Sequence, residues 1–406
     1  MTRLLLALAG TAALWPMFQF RPDHNAVLPG PARAYSWQRR LGGQINGGLA
    51  VAGGVLYLES FDRRVSALDA RTGRVLWSTK LPDVAMTTPV VANGVVVVGT
   101  GKDAVLEESP QRTVWGRRGG DAVIGLDAGT GRVLWTHHTI GEDMPSPALV
   151  RANGVDELVY ANGHDRIRAL ALADGRTLWT IRTHGIATMS SAAAAGRRVY
   201  VVVGTSPNSG RHDHIEAIDA RSGSIRWRAP YGNADCSPTV ADGLVFVEGS
   251  SSSNDRPAGR NAFNEVDAVS ERTGLLRWRW FSRYGRFTPT GSNEEGVAGL
   301  ADAATFYQAI PATRDFVAFD ARTGRVRWRL RTAARVKMSA VEYRKRLYFG
   351  DTAGTFYVVD ARSGRVLVRR TFPAYFTVSS PVIVGETLYV ADRASVYAIP
   401  LASLRA

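Results

Sequence analysis

The chain has 406 residues, 45% of them hydrophobic and 21% charged, and a formal net charge of +14. That length and apolar fraction allow a large closed core and exclude a disordered or low-complexity chain. Its single cysteine, Cys236, excludes an intrachain disulfide, and without C-x-x-C-H there is no covalently attached c-type haem.

The N-terminus, MTRLLLALAGTAALWP, carries one Arg and then an apolar run from Leu4 to Leu14. The run is too short to span a bilayer but has the form of an export signal, with Thr11-Ala12-Ala13 as small residues for cleavage. Residues 1–13 are predicted to be a signal peptide, 14–34 an N-terminal extension and 35–406 a single domain. The expected compartment is the periplasm or another exported location. Cys236 lies far from the N-terminus, so no lipobox and no lipid anchor are expected.

From residue 68 one ten-residue unit recurs: LDARTGRVLW (68–77), LDAGTGRVLW (126–135), LALADGRTLW (170–179), IDARSGSIRW (218–227), VSERTGLLRW (269–278), FDARTGRVRW (319–328) and VDARSGRVLV (359–368). The last positions, 77, 135, 179, 227, 278, 328 and 368, are 40 to 58 residues apart, the period of a repeat architecture. Each unit reads as strand, tight turn, strand. The turn Asp (Asp69, Asp127, Asp219, Asp320, Asp360) accepts backbone N–H bonds, and the Gly (Gly73, Gly131, Gly223, Gly274, Gly324, Gly364) supplies positive φ. The Trp (Trp77, Trp135, Trp179, Trp227, Trp278, Trp328) takes the buried side of the second strand, and Val368 replaces it in the seventh copy.

Upstream hairpins such as TPVVANGVVVVGT (88–100), SPTVADGLVFVEGS (237–250) and SPVIVGETLYVAD (380–392) complete four antiparallel strands per period, A to D. Four strands per period is the blade signature of a β-propeller. Strand-A signals number eight: Gly48 to Val51, Thr88-Pro89, Ser146-Pro147, Ser191-Ala192, Ser237-Pro238, a degenerate Val297-Ala298-Gly299, Ser339-Ala340 and Ser380-Pro381. The eighth lacks a strand D, which Tyr35-Ser36-Trp37-Gln38 is predicted to supply. The fold class is therefore all-β, an eight-bladed propeller whose last blade is closed by an N-terminal strand. A monomer is expected.

The D-A-x-T/S-G-x-x-x-W repeat over residues 35–400, with WPMFQFRPDHNAVLPG (15–30), resembles the pyrroloquinoline-quinone (PQQ) repeat family, shared by quinoprotein dehydrogenases and the BamB factor of outer-membrane assembly. These motifs specify fold rather than activity.

Alternation of strands puts the A–B and C–D turns on one face and the B–C and D–A loops on the other. Length variation falls on the second face (99–121, 204–214, 248–261, 281–296), which marks it as the binding side. Its D–A loops bring Asn46, Glu142, Asp143, His184, Asn233, Asp235, Arg286, Glu294, Glu295, Arg335 and Lys337 to the rim of the axial channel, as candidate ligands for a polar molecule. Protruding loops offer Trp115, Arg117, Arg118, Phe281, Tyr284 and Phe287 to an envelope protein partner. On the opposite face the seven turn units hold thirteen Arg against six Asp and one Glu, 13 − 7 = +6, which fits anionic lipid or polysaccharide. No nucleic acid is expected, since no aromatic stripe is interleaved with the basic residues.

Met86, Met144, Met189, Met338 and Cys236 each precede a strand A. Two readings stay open: soft-metal ligands such as Cu(I) requires, or adaptable fillers of the inner packing. His212 and His214 flank Asp213 without a visible third ligand. Hydrolase, zincin and P-loop motifs are absent. With one cysteine the chain cannot carry the adjacent Cys pair of alcohol-oxidising quinoproteins. The resemblance thus implies a non-enzymatic binding or assembly scaffold similar to BamB, with no cofactor and no metal site. The alternative it implies is a PQQ- and Ca²⁺-dependent oxidoreductase of an alcohol or sugar.

Overall fold

The computed structural model describes residues 14–15, 17–101, 121–140, 145–162, 166–183, 185, 190–204, 213–232, 236–250, 261–286, 298–302 and 304–405, without the side chains of 250, 261–263 and 283–286. Every blade has the same build. Blade 1 runs A (Ala50–Ala52), B (Val55–Ser60), C (Arg64–Asp69) and D (Val75–Lys80), hydrogen-bonded in that order. Eight such sheets are present, so the propeller is eight-bladed and all-β. Blade 8 takes its strand D from Trp37–Arg40, antiparallel to Ser395–Pro400 with Trp37 opposite Ala398. It also gains a short fifth strand that the repeat does not announce: Val27–Leu28 pairs in parallel with Val382–Val384.

In each of the seven repeat units the turn Gly has φ near +70°. The turn Asp caps the backbone, as where Asp127 Oδ1 accepts from the N–H of Thr130 at 2.8 Å and from its hydroxyl at 2.7 Å. Past the turn, the C–D register slips by one residue, for example between Ala67–Trp77 and Leu68–Val75. Such a bulge turns the strand and re-aims its side chains. It leaves Leu76 and Leu134 partly exposed and sends the Trp sideways onto the next blade.

That Trp is the joint between blades. Trp37, Trp77, Trp135, Trp179, Trp227, Trp278 and Trp328 each donate the indole N–H, at 2.8–3.1 Å, to the carbonyl of Ala70, Ala128, Leu172, Ala220, Glu271, Ala321 and Ala361 respectively. These acceptors lie in the C–D turn of the following blade, and each indole covers the Gly of that turn. A Cβ on Gly131 would stand 2.4 Å from Cε3 of Trp77. The remaining joint, between blades 7 and 8, lacks its Trp because its receptor is lacking. Blade 8 has no continuous C–D turn, and Val366, Leu367 and Val368 pack instead against a cluster that includes Leu401 and Leu404 of the closing 3₁₀ turn.

Near the axis the predicted Ser and Thr signals lie just before strand A and link neighbours. The N–H groups of Thr88, Ser146 and Ser191 donate to the hydroxyls of Ser146, Ser191 and Ser237 in the next blade, at 2.7–2.9 Å. Ser339 N–H likewise meets Ser380 at 3.1 Å. At the degenerate signal the strand is only Leu300–Ala301.

The two roles of the turn glycine can be separated. Gly131 (φ +72°) lies under Trp77, whereas Gly154 (φ +77°) has open space around it. Gly154→Ala is expected to cost ~1 kcal/mol for the backbone alone. Gly131→Ala is expected to lose a further ~1–3 kcal/mol by overpacking the indole. Equal losses in denaturant titrations of the two variants would show that the indole joint does not need the glycine.

Candidate functional site

The extension at 14–34 enters the propeller from the tight-turn side and bonds to the inner edges of the A strands. Trp15 is fully buried and exchanges both backbone hydrogen bonds with Val91 of blade 2, at 2.6 and 2.8 Å. The carbonyls of Pro22, Asp23 and Ala26 accept the N–H groups of Val240, Ala301 and Ile383, in blades 5, 6 and 8, at 2.7–3.0 Å. Asn25 Oδ1 takes the N–H of Glu342 in blade 7 at 3.0 Å. Met17 joins the core cluster of blades 3 and 4. An A strand shows the axis only the edge that does not face strand B, so these bonds place residues 15–28 across the channel. The tight-turn end of the channel is thereby closed.

His24 is locked inside this plug. Its Nδ1 lies 3.1 Å from both the Gly299 carbonyl and the Thr239 hydroxyl. Burial lowers its pKa to about 4, against the opposing carbonyl contact, so the imidazole is neutral.

Towards the long-loop end, Glu59 is the penultimate residue of strand B of blade 1 and is fully buried. One carboxyl oxygen accepts the Thr87 hydroxyl at 2.5 Å, and the other has no hydrogen-bond partner among the described residues. Burial pushes its pKa up to about 8, with the Thr87 contacts opposing. Glu59 is thus a neutral acid with a free oxygen, the state of a proton donor. Asn46, half-buried in the loop before blade 1, also has an unpartnered buried Oδ1. Arg335 and Lys337, half-buried, alternate with buried Val336 and Met338 in the loop between blades 6 and 7. Asn46, Arg335 and Lys337 stand in D–A loops, and Glu59 lies near the end of a strand B.

The other expected rim residues, Glu142, Asp143, His184, Asn233, Asp235, Glu294 and Glu295, lie outside the described residues. So do Trp115, Arg117, Arg118 and Phe287, with most of the long insertions. Arg286 and Tyr284 belong to strand D of blade 5 (Leu276–Arg286). Phe281 of the same strand is 46% exposed.

Cys236 Sγ accepts the N–H of Glu248 at 3.2 Å, and Met338 Sδ that of Gly350 at 3.1 Å. Thr87 and Ser190 hydroxyls do the same for Gly99 and Val202 in their blades. These sulfurs therefore occupy a backbone-capping place otherwise held by hydroxyls. Met86 is half-buried, while Met144 and Met189 lie outside the described residues. Among the described residues no three His, Cys, Asp or Glu side chains converge as a metal ion needs. His214 is absorbed by an ion cluster with Glu216 (3.3 Å), which also receives Arg228 (2.7 Å). In blade 5, Arg279 bridges Glu265 and Asp267 at 3.1 and 2.8 Å. Burial and then the neighbouring Glu265 push Asp267 up to about 8.

The family described as outer membrane protein assembly factor BamB matches residues 31–182 and 163–403. The chain belongs to that PQQ-repeat family. Among individual proteins, the tetrathionate hydrolase of Acidithiobacillus ferrooxidans is 26% identical over 97% of this chain and 79% of its own length. BamB of Yersinia pestis is 23% identical over 82% of this chain and 79% of its own. The solved quinohemoprotein alcohol dehydrogenase of Comamonas testosteroni superposes with a TM-score of 0.67 at 13% identity, over 97% of this chain and 81% of that one. Likeness at that identity shows the shared fold.

These buried groups set a pH dependence. Glu59 and Asp267 have raised native pKa values, so their contributions are complete below the ordinary carboxylate range and are lost as pH rises through about 8. His24 has a depressed value, so its contribution is complete above about 6.5 and is lost as pH falls through about 4. Between pH 6.5 and 8 both carboxyls act in the same direction. Stability should fall there by up to about 1.4 kcal/mol per pH unit for each. Glu59→Gln should roughly halve that slope in denaturation series, and an unchanged slope would mean that Glu59 ionises normally.

Proposed function

We propose that the open mouth of the channel binds a small anion, and that hydrolysis of a sulfur oxyanion such as tetrathionate is its activity. One observation carries the reading: residues 15–28 close the far end, so a ligand has one entrance, where Arg335 and Lys337 stand. A dianion is attracted by two cations on one loop. An ionised carboxylate at Glu59 would repel it, and burial removes that charge. The near full-length relationship to a tetrathionate hydrolase supports the same substrate class. In such a reaction water adds at sulfur as the neighbouring S–S bond breaks. The two cations hold the sulfonate oxygens, and Glu59 can hold or pass a proton.

The second reading is the assembly scaffold of BamB type in the cell envelope. It is favoured by the family match and by Phe281, an apolar ring exposed on the long-loop side. Either role accords with export directed by the apolar segment that ends at Leu14.

Tetrathionate binding by calorimetry and tetrathionate consumption test the first reading. Replacing Arg335 and Lys337 together by Ala should weaken binding about tenfold or more, at ~1–2 kcal/mol for two partly screened contacts. Glu59→Gln should lower turnover more than binding. Absence of both binding and turnover, with an envelope partner lost on Phe281→Ala, would favour the scaffold.

A further inference from the structure

The tight-turn face carries a groove of about 480 Å³ at the seam between blades 8 and 1. Its walls include Leu14, Phe20, Leu28, Tyr35 and Tyr389, and Arg71 completes the lining. Leu14 is 43% exposed, so apolar wall is open to solvent. The volume lies in the range of pockets that enclose most of a small ligand. Among the described residues no carboxylate lines it.

Arginine outnumbers acid in the turns of this face. Arg33, Arg71, Arg74, Arg362 and Arg365 are exposed, and none is in a salt bridge with a carboxylate of the described residues. The acids of the same turns are used internally: Asp69 caps Thr72 and Asp360 caps Ser363. An apolar cleft with an exposed guanidinium group in its lining asks for a ligand with an apolar tail and an anionic head. A free oxyanion would leave the walls wet, and an apolar peptide would leave the arginines without counter-charge.

We propose that this groove takes the acyl chain of an anionic membrane lipid, with its headgroup on Arg71, and that the tight-turn face docks on an anionic bilayer. The channel mouth on the opposite face then points away from the membrane. The two sites are separable, since they lie on opposite ends of the propeller.

Vesicle flotation of the full chain tests this, using phosphatidylcholine alone or mixed with phosphatidylglycerol. The protein should float with the mixed vesicles and remain behind with the neutral ones. Arg71→Glu should weaken vesicle binding about 25-fold, since each basic residue near an anionic surface is worth roughly a fivefold effect and reversal counts twice. Arg132→Glu, on the same face in blade 2, should act more weakly because it does not border the groove. Leu14→benzoylphenylalanine should photo-cross-link to phosphatidylglycerol. Equal flotation with neutral vesicles, equal effects of the two Arg reversals, or cross-linking to residues 1–13 instead of lipid would each overturn the proposal. Arg71 and Leu14 are exposed, and circular dichroism of the variants confirms folding.

Discussion

The structure depends on one joint, an indole laid over the turn of the next blade. Each joint combines a hydrogen bond to a turn carbonyl with apolar contact over a glycine that has no Cβ to obstruct it. Burial of a Trp contributes about 2–3 kcal/mol beyond the bond itself. Repeated around the ring, such contacts make each blade's turn a part of its neighbour's core. The C–D bulge belongs to the same device, since without it the Trp would not leave its own strand at the required angle. Blade 7 is the informative exception. Where no turn follows, the Trp is replaced by Val368, and the small aliphatic cluster around Leu401 and Leu404 closes the gap. The residue thus follows its receptor.

What could be read from sequence follows the same logic. Turn chemistry is local, so Asp, Gly and Trp at fixed offsets revealed the blades, and the unpaired last blade revealed the closing strand around Trp37. The plug was not legible, although its opening residues drew attention. It holds the A-strand edges through backbone groups, which any sequence possesses, and it has neither a helical nor a strand period. Only Trp15 and His24 were conspicuous, and neither says where the segment lies. Glu59 was also missed. In VLYLES a lone Glu near the strand end reads as an exposed position, and its burial is set by Thr87 from the adjoining blade.

The sulfur atoms near the axis show how position decides between chemical readings. A backbone N–H two residues beyond the strand-B position that faces the joint needs an acceptor from the preceding D–A loop. Thr87, Ser190, Cys236 and Met338 meet that need in different blades. Of the sulfurs singled out as possible metal ligands, Cys236 and Met338 serve as such acceptors, while in blade 2 the place beside Met86 falls to Thr87. Sulfur suits such a place, being polarizable and tolerant of irregular space.

Closure of one end of the channel gives the two faces different tasks. An open tube would let solvent reach Glu59 and His24 from both sides, and neither could keep a strongly displaced pKa. The plug segment buries His24 on the turn side, and Glu59 is buried towards the other end, where burial holds it neutral. The same segment leaves the channel beside Leu28 and Tyr35 and forms a wall of the apolar groove on the outer face. One stretch without secondary-structure periodicity therefore shapes both the floor of the proposed anion site and the wall of the proposed lipid site. A change in its seating would be felt at both ends, even though the eight blades themselves stay rigid.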